Sequence, residues 1–208
     1  MLGQTRDLWE RQNRLVGDRR QLFSAVADAV ETVNILYPGS YVDLTPSFVW
    51  PSVTYVDVDQ RANRFFGDAE GVRELLDENS ADASGHIFRF IHTDYQQRLE
   101  LRDGSFDLLI SLYAGFVSEH CTRYLRVGGY LLVNPSHGDA AMTSIDTRYR
   151  LNAVVGASDN SYGVTTADLD TYLVGKRDVE VSVEHLHRTG RGIDYTRSAF
   201  AYLFQRVE

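Results

Sequence analysis

The sequence predicts an α/β fold built on a doubly wound, largely parallel sheet. Short apolar runs rich in β-branched and aromatic residues recur at 33–37, 53–58, 87–91, 106–111 and 130–134. They are continuous rather than alternating, which is the pattern of strands buried on both faces. The stretches between them have helical length, and such alternation argues a parallel sheet covered on both sides. Sheets of this kind bind ligands at the carboxyl ends of their strands, where the strand order reverses.

Each element has its own signal. Residues 5–30 read as one amphipathic helix, with Leu8, Trp9, Leu15, Leu22, Phe23, Val26 and Val30 near helical spacing. The first strand, 33–37, opens into a loop carrying Pro38, Gly39, Pro46 and Pro51. Helices are expected over 60–66 and 68–79, then a polar turn at 80–85 and the third strand. Asp103-Gly104 turns the chain into the fourth strand, and a helix over 114–125 follows. Gly128-Gly129 is expected to end that helix and launch the fifth strand. Residues 137–162 read as a polar stretch, with a helix opening near Thr165. Val179, Val181 and Val183 alternate with polar residues, the period of a strand with one wet face. With 195–207 they predict an antiparallel C-terminal hairpin.

The chain of 208 residues is expected to form a single domain, 1–208, with residues 1–30 as an N-terminal helical extension. Its formal charge of −8 and the lack of a basic run argue against nonspecific nucleic-acid or anionic-membrane binding. No apolar segment approaches the roughly 20 residues of a membrane span, and a cytoplasmic location is expected. The one cysteine, Cys121, excludes an internal disulfide and reads as a small buried hydrophobe.

Candidate chemistry collects at the strand ends. Asp57 closes the second strand 18 residues after Gly39, near the spacing of about 20 between a nucleotide-binding glycine turn and its ribose-binding acid. The alternative is a turn glycine and a helix-capping aspartate, although Asp59 is the better placed cap. Asp94 follows the third strand, where a polar side chain reaches an adenine amino group; a surface loop is the competing reading. Tyr113, Ala114 and Gly115 follow the fourth strand, with Tyr113 expected to face the cleft. His137 and Asp139 lie past the fifth strand as a base and the carboxylate that orients it, or as parts of a self-bonded polar loop. His185 and His187 share one face of the predicted strand with no evident third ligand, so no metal is expected.

The order of these features resembles the class I S-adenosylmethionine-dependent methyltransferases over residues 30–206. The matching segments are 55–59, Asp94, 106–111 and 125–133. The resemblance implies a Rossmann-like seven-stranded sheet of order 3-2-1-4-5-7-6. It implies S-adenosylmethionine as cofactor, with the Gly39 loop (Gly39, Ser40) around its methionine part, Asp57 on the ribose and Asp94 at the adenine. Asp43 would meet the ammonium group, and Ser111 closes the cofactor set. His137, Asp139 and Tyr113 would serve transfer to a small-molecule or protein substrate. The loop departs from the family's G-x-G-x-G pattern: Gly39 stands alone, preceded by Pro38 and followed by Tyr41 where a glycine is expected. That departure motivates an alternative, a non-catalytic protein of the same fold that binds another ligand or a protein partner. A nicotinamide-dependent oxidoreductase fits less well, because its phosphates need several glycines at the first helix start.

Overall fold

The computed structural model describes residues 2–16, 19–80, 85–158, 161–176 and 181–208. In chain order the elements are α1 (Leu2–Val16), α2 (Arg20–Ala29), β1 (Asn34–Pro38), β2 (Ser52–Asp57), α3 (Gln60–Gly67), α4 (Ala69–Asn79), β3 (Ile87–His92) and β4 (Phe106–Ser111). There follow α5 (Val117–Cys121), β5 (Leu125–Val133), α6 (Asp139–Ile145), β6 (Tyr149–Ser158), β7 (Ser161–Thr165), α7 (Val183–Thr189) and β8 (Ala201–Arg206). Among the described residues the sheet runs β3-β2-β1-β4-β5-β8-β6-β7. Strands β1 to β5 are parallel, while β8 is antiparallel to both β5 and β6. This is the methyltransferase-type order, with β7 added at the β6 edge. The order reverses beside β1, so β1 and β4 open a crevice at their carboxyl ends.

Alternation along the strands sends neighbouring residues to opposite faces. Ile35, Leu108, Leu132 and Leu203 join Leu22, Phe23, Trp50, Phe65 and Leu75 on the face covered by α2, α3 and α4. Leu36, Leu109, Val133 and Phe204 pack with Val117, Cys121, Tyr124 and Ala140 under α5 and α6. Helices therefore cover both faces of the sheet. No helix among the described residues is long and apolar enough to cross a membrane.

Several expectations are corrected. The helix over 5–30 is two helices, α1 and α2, and Gly17-Asp18, poor helix formers, fall between them in sequence. The reversed strands are β6 and β8, with β7 the hairpin partner of β6. Of the strand expected near 179–184, residues 179 and 180 lie outside the described residues and Val183 opens α7. Ser182 caps that helix by accepting from the His185 N–H, and Leu186 anchors it in the core, which overrides the local alternation of valines. His185 and His187 are thus helical, and His187 Nε2 lies 2.8 Å from Glu119. The stretch 137–162 contains α6, all of β6 and the start of β7, and the helix expected near Thr165 is one 3₁₀ turn, Leu169–Thr171. The helix over 114–125 shrinks to α5 and a 3₁₀ turn, and Gly128-Gly129 sits inside β5. Gly129 is needed there, because a β-carbon would lie 2.9 Å from the Asp107 carbonyl on β4.

Candidate functional site

The loop after β1 is shaped by two left-handed residues. Gly39 has φ +66°, and its N–H donates to the Val56 carbonyl at 2.8 Å. A β-carbon on Gly39 would lie 2.8 Å from Ala114 Cβ, so the loops after β1 and β4 meet with nothing to spare. Tyr41 has φ +50°, so at the position lacking the expected glycine the backbone still takes a glycine-like conformation. The Tyr41 N–H donates to Asp57 Oδ2 at 2.7 Å.

Asp57 also accepts from the Asp59 N–H through Oδ1, at 2.8 Å. Asp59 itself caps α3 by accepting from the Arg61 N–H. Asp57 is therefore not the helix cap. Across the crevice, Asp94 Oδ1 accepts from the Gln96 N–H at 2.9 Å. Beside it, Tyr95 donates to the Gly115 carbonyl at 2.9 Å, and burial pushes its hydroxyl up to about 12. Gly39, Asp57, Asp94, Tyr95, Tyr113 and Ala114 line one cavity of about 280 Å³. Four residues singled out in sequence, Gly39, Asp57, Asp94 and Tyr113, from the ends of four different strands, thus share a site.

A second cavity of about 410 Å³ adjoins it through Gly39 and Tyr113, and is also lined by Ser40, Tyr41, Tyr37 and Arg19. Asp43 is absent from its lining. The Asp43 side chain is 1% exposed and forms an ion pair with Arg19 at 2.7 Å. It also accepts from the Tyr37 hydroxyl at 3.2 Å and the Thr45 N–H at 3.2 Å. Burial, together with the Asp43 charge, pushes the Tyr37 hydroxyl above its ordinary value. The Asp43 carboxylate, expected to meet a ligand's ammonium group, is instead committed to Arg19. Nothing in the local sequence separates Arg19 from Arg20, and only the tertiary contact reveals it.

Ser111 and Asp139 lie beneath the crevice, both fully buried. Asp139 accepts from the Ser111 hydroxyl, the Ser118 hydroxyl and the Ser118 N–H, joining the end of β4 to the starts of α5 and α6. Burial raises its pKa despite these bonds. Asp139 therefore does not orient His137. The chain turns through Gly138, at φ +86°, so Asp139 points into the core while His137 is exposed. His137 Nδ1 is 2.8 Å from Ser136 Oγ instead. Ser111, held by Asp139, lines neither of these two cavities.

Tyr113 is half-exposed, at 50%, with φ +59°. Its N–H donates to Asn134 Oδ1 at 3.1 Å, and the Arg19 guanidinium lies 5.1 Å from its ring centroid. It borders both cavities already described and a third of about 550 Å³, lined also by Asn134, Ser136, Arg191, Asp194 and Phe200. In the sequence Asn134 reads only as the last residue of the fifth apolar run, 130–134. Cys121 is buried, with its thiol pushed up to about 12. No group of three or more metal-ligating side chains occurs among the described residues.

The chain matches no family model and no curated protein. It is similar to several solved structures at low identity. One, assigned as an S-adenosylmethionine-dependent methyltransferase from Methanococcus maripaludis, is 13% identical over 55% of this chain and 54% of its own, with a TM-score of 0.42. A protein assigned as an O-methyltransferase from Klebsiella pneumoniae is 11% identical over 77% and 86%, with a TM-score of 0.49. An S-adenosylmethionine-dependent methyltransferase from Thermotoga maritima is 12% identical over 90% and 88%, with a TM-score of 0.47. This chain spans about half the length of the Methanococcus protein.

Proposed function

We propose that the crevice over β1, β2 and β4 binds the nucleoside of S-adenosylmethionine, and that the protein transfers a methyl group to a small molecule or a protein. One observation carries this reading: Gly39, Asp57 and Asp94 line a single cavity at the carboxyl ends of parallel strands. Each oxygen of Asp57 accepts one backbone N–H, and a carboxylate offers about four acceptor sites, so one on each oxygen remains for a ribose diol. Asp94 and Tyr95 would meet the adenine, and Gly39 lets backbone approach the ligand closely. The Ser40–Tyr41 loop and Tyr113 would enclose the amino-acid part. When bound, the cofactor supplies an electrophilic methyl group; the chain's own residues bind it, orient it and shape the acceptor cavity beyond Tyr113.

A second reading is a non-catalytic protein of this fold. It is favoured by the engagement of Asp43 with Arg19, which removes a carboxylate from the amino-acid side of the site. The two readings separate by thermal unfolding with saturating S-adenosylhomocysteine, with NAD as control. A ligand at 100 times its Kd stabilises by about 2.7 kcal/mol, which raises the Tm of a domain this size by roughly 5–10 °C. Such a rise with the adenosyl ligand and none with NAD supports the first reading. No rise with either supports the second.

A further inference from the structure

The loop after β5 carries a chain of hydrogen bonds in which each role fixes the next. The Tyr113 N–H can donate only to an oxygen, so the atom of Asn134 facing it at 3.1 Å is Oδ1. Ser136 Oγ lies 2.9 Å from that same oxygen, which has no proton to give, so the Ser136 hydroxyl must be the donor. Its single proton is then committed, and toward His137 Nδ1, 2.8 Å away, the Ser136 oxygen acts as acceptor. Nδ1 therefore carries the ring proton, and in the neutral imidazole the lone pair falls on Nε2. The chain has a firm anchor, because Asn134 is buried and its own N–H donates to the Ser111 carbonyl at 3.2 Å.

We propose that Asn134 and Ser136 are positioning residues that hold His137 in the Nδ1–H tautomer, so that Nε2 takes the proton of a hydroxyl-bearing acceptor. The acceptor assignment rests on the function proposed above. Tyr113, Asn134 and Ser136 all line the third cavity, and the exposed His137 is joined to that lining through Ser136. Tyr113 and Phe200 give that cavity aromatic surface suited to a phenol. In the transfer, the acceptor's O–H bond breaks and its proton moves to Nε2. A bond forms from the acceptor oxygen to the methyl carbon, and the carbon–sulfur bond of the sulfonium donor breaks with its electron pair left on sulfur. This chemistry selects an acceptor that must lose a proton over a thioether or tertiary amine.

Histidine side-chain ¹⁵N spectra of the protein without cofactor test the chain directly. They are recorded near pH 8.5, about two units above the ordinary imidazole value of about 6.5. Free imidazole side chains favour the Nε2–H form, so a protonated Nδ1 at His137 is a distinctive result. Ser136→Thr keeps the hydroxyl and should keep this tautomer, whereas Ser136→Ala should return His137 to the Nε2–H form in a protein with unchanged backbone spectra. Titration with phenol should then move the wild-type Nε2 resonance toward its protonated position. An Nε2–H tautomer in the wild type overturns the proposed relay, and an Nε2 resonance unmoved by phenol overturns the acceptor assignment. Failure to bind S-adenosylhomocysteine while His137 keeps its tautomer refutes the methyl-transfer reading and leaves the positioning chain standing.

Discussion

Arg19 and Asp43 form a buried ion pair at 2.7 Å that joins the start of α2 to the loop after β1. The N-terminal helices are thereby built into the wall of the crevice. Removing one partner strands the other charge in the interior, which costs about 3–5 kcal/mol. Arg19→Ala should lose that much in urea unfolding. The double replacement Arg19→Met with Asp43→Leu should recover most of it, because no charge is left unpaired. A loss under about 1 kcal/mol for the single variant would show that water reaches the pair.

Gly39→Ala combines two penalties. A side chain in the left-handed region costs roughly 1–2 kcal/mol, and the new β-carbon would meet Ala114 Cβ at 2.8 Å. Ala114→Gly in the same chain relieves the second penalty and leaves the first. Unfolding experiments should therefore find the double variant more stable than Gly39→Ala alone. Equal stabilities would show that the two loops do not meet as described.

Asp57→Ala removes the acceptor proposed for the ribose. Loss of such a partner costs about 1–3 kcal/mol of binding, or roughly 5- to 150-fold in Kd. The Tyr41 and Asp59 N–H groups lose their acceptor as well, so unfolding curves are measured alongside. Unchanged affinity in a folded variant would exclude Asp57 from the site.

Asp139 gives a pH dependence of defined sign. Burial holds its native pKa above the unfolded value of about 3.9, so the native state binds the proton more tightly. The resulting stabilisation is full below the unfolded value and is lost as pH rises through the native one. Asp139→Asn is neutral throughout and lacks this slope. Its stability should therefore gain on that of the wild type as pH is raised from about 4. Parallel curves would mean that the native carboxyl titrates as it does in the unfolded chain.

The first five strands were legible because strands buried on both faces leave continuous apolar runs. β6 was not, since its outer positions are wet and Arg150 and Asn152 interrupt the run. Valines near 181 imitated a strand, yet Ser182 and Leu186 commit that segment to a helix through a cap and a core contact. At the site, Gly39, Asp57 and Asp94 were legible because strand ends dictate where side chains converge. The partnership of His137 with Asp139 failed, because two residues on either side of a left-handed glycine face opposite ways. Arg19 and the role of Asn134 depend on contacts between distant segments, which no local pattern encodes.

The assignment of Asp57 to an adenosyl site is open to calorimetric titration with S-adenosylhomocysteine, with the wild type and Asp57→Ala side by side. Micromolar binding to the wild type and a Kd weakened about 5- to 150-fold in the variant are expected under that assignment. No heat of binding in folded wild-type protein, or equal affinities in the two proteins, would contradict it.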